Sequence, residues 1–345
     1  MIFEKRSLVL IHIFIAIIYC TLFLLLPRPT IVLPSLAEVL PYTLIVGLGV
    51  TLSAIAYFYL QVKGRLEVAQ GELGELEKGE LIGGEIGYLS DAGKVRELDE
   101  DSLVVARVFT TYEAEPSERI LLIVADGMGG HSKGEVASYI GAKTVAEETI
   151  PYLLERDDEK EFADILSTNM KDTNQQILQY ALDHPECEGM GTTMTVAILD
   201  GNQVHISHIG DTRAYQISRD EILQVTKDHS YVQQLVDKGE ITPEEAKRHP
   251  KKNIITRVVG YYAEVKADTY SEVLKEDDRL LLCCDGLTSH VDDEELKKIV
   301  SKALTAKGAC EELVRLANER GGSDNISLVL TPKQTDLKRA RGRQE

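Results

Sequence analysis

Acidic residues set beside glycine, three of them at the ends of apolar runs, constrain this chain more than any other feature. The segment Val-Ala-Asp126-Gly127-Met-Gly-Gly-His131 closes one such run. Four more acidic spots accompany it: Asp99-Glu100-Asp101, His208-Ile-Gly210-Asp211-Thr212-Arg213, Cys284-Asp285-Gly286 and Gly322-Ser-Asp324-Asn325. Runs 121–125, 204–209 and 280–284 are rich in Val, Ile and Leu, read as buried strands, and deliver their carboxylates at strand ends, where loops converge. One carboxylate beside a glycine is a turn. Five in this arrangement, with no Cys/His ligand spacing, point to a hard-cation site built from oxygen.

Strands are expected at 103–109, 120–125, 193–199, 204–209, 213–217, 279–284 and 326–330, with a hairpin at Asp200-Gly201. Helices are expected at 135–154, 160–182, 230–238, 293–304 and 309–320. Cys310, Leu313, Val314 and Ala317 give the last an apolar stripe, and Cys283 and Cys284 should point to opposite faces of their strand. Strand pairs joined by short turns suggest antiparallel sheets in an α+β fold, with helices outside. The five cysteines show no metal-type spacing, which fits a reducing compartment.

The net charge of −18 is uneven. Residues 1–63 carry Glu4 and Glu38 against Lys5, Arg6, Arg28 and Lys63, so the remaining 282 residues hold −20. So acidic a body argues against nucleic acid as a partner. Residues 8–26 and 40–60 are uncharged and long enough to span a bilayer, and are read as two transmembrane helices forming an anchor over residues 1–63. A signal peptide is disfavoured because no small-residue cleavage site follows Leu26. Basic residues flank the pair outside both spans, which places both termini in the cytoplasm. Residues 64–83 read as an acidic, Gly-rich linker and residues 333–345 as a basic tail.

Six motifs occur in an order and spacing that resembles a known family: the segment from Ser90 through Arg96 to Asp101, Asp126-Gly127, Gly191-Thr192-Thr193, Gly210-Asp211-Thr212-Arg213, Asp285-Gly286 and Gly322-Ser-Asp324-Asn325. The chain resembles the metal-dependent protein phosphatases of the 2C type, in their bacterial form, over residues 84–332. The resemblance implies a four-layer α-β-β-α sandwich and two catalytic manganese or magnesium ions. Asp126 would bridge both ions, the Gly127 carbonyl would assist, Asp285 and Asp324 would complete one ion and Glu100 the other. Asp211 would hold a third, weaker ion, Arg96 would bind the phosphate, and Asp101 would orient a water. Turn roles compete at Asp101 and Asp211.

Residues 219–260, with Asp228-His-Ser-Tyr-Val-Gln-Gln-Leu-Val and a basic cluster at 248–252, resemble the family's flap beside the metal centre. Met128 stands where many eukaryotic relatives carry a histidine that acts as general acid; His131 is expected to be a loop residue without that duty. The implied activity is hydrolysis of phosphoserine and phosphothreonine in proteins, with a membrane serine/threonine kinase as a candidate partner. A tethered, non-catalytic relative that binds a signalling partner is the competing class, against which the complete set of acidic residues weighs.

Overall fold

The computed structural model describes residues 84–112, 115–128, 133–155 and 161–341. Both expected spans, the linker and His131 lie outside the described residues. Among the described residues, no helix is long and apolar enough to cross a membrane.

Among the described residues, ten strands form two antiparallel sheets of five. They are β1 (Gly87–Asp91), β2 (Asp101–Tyr112), β3 (Glu115–Met128), β4 (Gly191–Asp200), β5 (Gln203–Ile209), β6 (Arg213–Ile217), β7 (Ile222–Gln224), β8 (Asp268–Val273), β9 (Arg279–Cys283) and β10 (Ile326–Leu330). One sheet runs β1-β10-β9-β6-β7 and the other β2-β3-β4-β5-β8.

The period-2 alternation of strands sorts side chains between layers. On β3, Ile120, Leu122 and Val124 enter the core between the sheets, where Leu280, Leu282 and Val329 of the other sheet meet them. Leu121, Ile123 and Ala125 face outward and are covered by α1 (Gly134–Leu154) and α2 (Phe162–Asp183). On the other side, Leu281, Cys283 and Leu328 are covered by α6 (Asp293–Lys302) and α7 (Ala306–Glu319). A strand buried on both faces cannot show polar alternation, which is why these segments read as continuous apolar runs. The expected α-β-β-α layering is therefore present, and Cys283 and Cys284 do separate to opposite faces.

Shorter helices complete the described residues: α3 (Tyr231–Asp237), α4 (Pro243–Lys247), α5 (Asp285–Thr288) and α8 (Gln334–Arg341). Three expectations need correction. Strand β7 lies within the segment read as flap, so the insertion begins after Gln224, not at Arg219. Strands β1, β7 and β8 were not expected, because short strands with polar outward positions carry little apolar signal. Residues 334–341 form a helix, not a free tail: Leu337 is buried in the inter-sheet core and the Gln334 amide donates to the Gly201 carbonyl at 2.7 Å. The basic composition of that segment hid a single apolar anchor.

Candidate metal centre

Register brings the acidic motifs together. Asp101 at the start of β2 is the direct cross-strand partner of Asp126 near the end of β3, and Thr193 of β4 partners Asp126 on its other side. Residues paired this way share a face of the sheet. By the alternation above, that face is the inter-sheet one, so these side chains line one end of the sandwich core. Cys284 joins them from the end of β9: Asp101, Asp126 and Cys284 each offer a ligand atom within 4.8 Å of the others.

Like charges directly across a strand pair oppose folding, and burial worsens the conflict. Both Asp101 oxygens are buried without a hydrogen-bond partner, as is Oδ1 of Asp211. Burial pushes the Asp101 carboxyl up to about 7, with Asp99 and Asp285 adding to the rise; the Ser327 hydroxyl and the Cys284 thiol oppose it as weak donors, too poorly placed to satisfy its oxygens. Burial, then Asp101, Asp285, Asp211 and Asp324, hold Asp126 well above the ordinary carboxylate range. Asp285 is raised to about 6 by burial and Asp324, opposed by Arg213 and Lys252. Asp211 is raised by burial, Asp285 and Asp228, against Arg213. Buried carboxylates that repel one another and lack donors are the donor set a hard divalent cation neutralises. The residues present fit manganese or magnesium.

Backbone packing fixes the loops. A Cβ on Gly127 would lie 2.3 Å from the Gly134 carbonyl oxygen and 2.4 Å from that of Glu100, so only glycine fits between β2 and the start of α1. The Gly127 N–H donates to the Glu100 carbonyl at 3.1 Å, and the Thr192 hydroxyl donates to the Asp126 carbonyl at 2.8 Å. Asp285 opens α5, and a Cβ on the next residue, Gly286, would meet the Asn325 carbonyl oxygen at 1.9 Å. That contact holds the Asp285 and Asp324 loops against each other.

The segment before β2 hangs on Asn325. Its side-chain oxygen accepts from the Glu100 N–H at 2.9 Å, and its amide donates to the carbonyls of Ala92 and Leu98 at 3.1 and 2.9 Å. Arg96 thereby sits over the site, donating to Asp324 Oδ2 at 2.8 Å with Glu100 at 3.9 Å. Glu100 stands slightly apart from the tight group. Its carboxyl is raised by burial, lowered by Arg96, and accepts from the Gly134 N–H at the start of α1. Asp101, expected only to orient water, is the residue directly opposite Asp126.

The flap between Gln224 and Gly260 is tied down at both ends. Arg213 grips Asp228 with two nitrogens, at 2.9 and 2.7 Å. The Gly210 N–H donates to His229 Nδ1 at 3.0 Å, and Arg257 donates to Asp268 at 2.7 Å. Thr192 bridges Val259 beside the Asp126 loop. From this insertion the positive charge of Lys252 acts on Asp285, opposing the rise in its pKa.

Sequence reasoning missed two residues. Asn325 was legible only as part of a motif, although its amide organises the Arg96 loop. Cys284 was read only as one of two strand cysteines pointing to opposite faces, and nothing short of the packing of one sheet on the other places it against Asp101 and Asp126.

The model of one family, described as Protein phosphatase 2C, matches residues 108–329. A serine/threonine phosphatase stp of Listeria innocua is 35% identical over 249 residues, covering 71% of this chain and 94% of that relative. Protein phosphatase PhpP of Streptococcus pneumoniae is 36% identical over 246 residues, covering 71% of this chain and 96% of the relative. Among solved structures, the catalytic domain of the serine/threonine protein phosphatase PstP in complex with two manganese ions superposes with a TM-score of 0.60. It is 34% identical, with 71% of this chain and 96% of that one covered.

Proposed function

The chain belongs to the protein phosphatase 2C family, and from that premise we propose that it is a membrane-anchored, metal-dependent serine/threonine phosphoprotein phosphatase. The observation that carries the reading is the meeting of Asp101, Asp126, Asp211, Asp285 and Asp324 at one end of the sandwich, where Asp101 and Asp211 bury oxygens without a well-formed hydrogen bond.

Asp126 faces every other member of the set and would hold both ions, helped by the Gly127 carbonyl. Asp285 and Asp324, locked together through Gly286 and Asn325, would complete one ion. Glu100 would complete the other, and Asp211 would hold a third, weaker one. When bound, manganese or magnesium supplies charge neutralisation at the phosphate and acidifies water. Arg96 would bind two phosphate oxygens with its planar fork. In the structure that fork rests on Asp324, so phosphate binding exchanges one anionic partner for another. Asp101, raised by burial, is placed to accept and orient a proton-bearing group beside Asp126. Met128 at the end of β3 has no proton to give, so leaving-group protonation falls to another donor.

The apolar runs 8–26 and 40–60 are the support for anchoring, with the phosphatase body on the cytoplasmic side. Phosphoproteins at the membrane, a serine/threonine kinase among them, are the proposed substrates. The test is phosphate release by the full-length chain from matched phosphothreonine, phosphoserine and phosphotyrosine peptides. The first two should be hydrolysed with manganese present and left intact in EDTA. Equal turnover in excess EDTA, or a preference for phosphotyrosine, overturns the reading. Recovery of the full-length chain in the soluble fraction of lysed cells overturns the anchor.

A further inference from the structure

The Cys284 thiol lies where a carboxylate site has no need of sulfur. It is fully buried at the end of the inter-sheet core, within 4.8 Å of Asp101 and Asp126 ligand oxygens. Its S–H donates to the Asn325 carbonyl at 3.2 Å, and its sulfur accepts from the Ser327 N–H at 3.1 Å. Those bonds aim the sulfur and keep it beside the two carboxylates.

A cysteine and two acids alone are not a site. Two further observations point to a ligand here. Both Asp101 oxygens are buried with no well-formed hydrogen bond, only the Ser327 and Cys284 side chains standing close enough as donors to lower its pKa, and the hydroxyl of Thr193, a fully buried residue in register with Asp126, has no partner either. Three poorly satisfied oxygens therefore share one sheet face, with the thiol facing them from the other sheet.

Ion chemistry then divides. Hard ions such as magnesium and manganese take oxygen and leave the thiol protonated. Zinc and cadmium bond thiolate strongly, with zinc–sulfur near 2.3 Å and zinc–oxygen near 2.0–2.2 Å. Tetrahedral bonding at those lengths sets ligand atoms roughly 3.5 Å apart. The present separations are no more than 4.8 Å, so a contraction of at most roughly 1.3 Å closes the set.

We propose that Asp101, Asp126 and Cys284 form a binding site for a thiophilic divalent ion, zinc or cadmium, that competes with manganese or magnesium for Asp126. Capture forms one metal–sulfur and two metal–oxygen bonds and displaces water from the ion; the S–H bond breaks, and its proton leaves to solvent together with any proton held by the two carboxyls. The Asn325 carbonyl loses its donor. Because Asp126 is then committed, the ion acts as an inhibitor. The inference rests on the reading of this acidic set as a metal centre.

The test uses the full-length chain stripped of metal and titrated with cadmium. A sulfur-to-cadmium charge-transfer band in the ultraviolet should grow to one equivalent. In Cys284→Ser the band should vanish, and the ratio of cadmium to manganese affinity should fall at least about tenfold, the loss typical of an outer-shell partner alone. Cys283→Ser, whose side chain lies on the opposite face, should keep the band. Cadmium-113 NMR of the unsubstituted chain reads sulfur ligation without any variant, so the proposal stays open to test if Cys284→Ser fails to fold. No band, a band that survives Cys284→Ser, or an oxygen-only cadmium shift overturns it. Manganese-dependent phosphate release by the same preparation is a separate readout. Its presence without sulfur ligation sinks this proposal alone, and its absence sinks the metal reading beneath it.

Discussion

Replacing Asp101 by Asn removes one of two carboxylates that face each other across β2 and β3, and its effect on stability should change sign with conditions. The Asp101 carboxyl is raised from 3.8 to about 7, so the folded chain binds a proton there that the unfolded chain has released. Stability from this group is then full below about pH 4 and is lost as pH rises towards 7. At about 1.4 kcal/mol per pH unit, the rise is worth at most about 4 kcal/mol, shared between Asp101 and Asp126 because they titrate together. Buried histidines act the other way: burial lowers His208 to about 3, so it stabilises increasingly as pH rises to about 6.5. The absolute profile therefore mixes opposing trends, and the difference between variant and parent isolates the carboxylate. In EDTA, Asp101→Asn should match the parent near pH 4.5 and exceed it by about 2–4 kcal/mol at pH 7.5. That difference corresponds to a rise in Tm of roughly 5–12 °C for a domain of this size. In manganese at a hundredfold its Kd the parent gains about 2.7 kcal/mol, and the order should narrow or reverse. Thermal unfolding followed by circular dichroism measures all four cells. A difference that is flat with pH in EDTA would refute the buried-pair argument.

Other consequences are simpler. Arg96→Ala should raise KM for a phosphopeptide with less effect on kcat, since it removes a phosphate contact; an unchanged KM would make Arg96 structural through its bond to Asp324. Gly286→Ala should cost about 3 kcal/mol or more, because the new methyl would sit 1.9 Å from a backbone oxygen that has nowhere to move; calorimetry checks this. Replacing Lys251 and Lys252 with Ala should lower kcat/KM for acidic phosphopeptides and spare a small aryl phosphate. That loss should shrink at high salt, and equal losses on both substrates would place these lysines in the scaffold.

Much of this fold was legible because its strands are buried on both faces. Residues 213–217 and 326–330 coincide with β6 and β10, since Gly-Asp-Thr and Ser-Asp-Asn turns bound them sharply. The hairpin expected at Asp200-Gly201 also forms, one residue later than its signal: Asp200 ends β4 and the turn is Gly201-Asn202, with Gly201 at φ 68°. Edge strands β7 and β8 were not legible, as polar outward residues such as Gln224, Ser271 and Glu272 dilute their pattern. At the site, the acidic motifs announced their chemistry, but neighbour relations depend on register. Sequence order puts Glu100 and Asp101 side by side, yet β-pleating sends one towards Arg96 and α1 and the other onto Asp126. Cys284 meets that face from the other sheet, through the packing of the two sheets and not through register.

The central claim is that Asp126 organises the catalytic ions while Asp211 serves a weaker, separate one. Manganese binding to the full-length chain, measured by calorimetry alongside turnover of a phosphothreonine peptide, tests it in Asp126→Asn and Asp211→Asn. Asp126→Asn should lose tight manganese binding together with at least about 100-fold in kcat, or roughly 2.7 kcal/mol of barrier. Asp211→Asn should keep the tight ions and lose only the weak one, with a smaller fall in rate. Equal losses in the two variants with unchanged tight manganese binding would contradict the account.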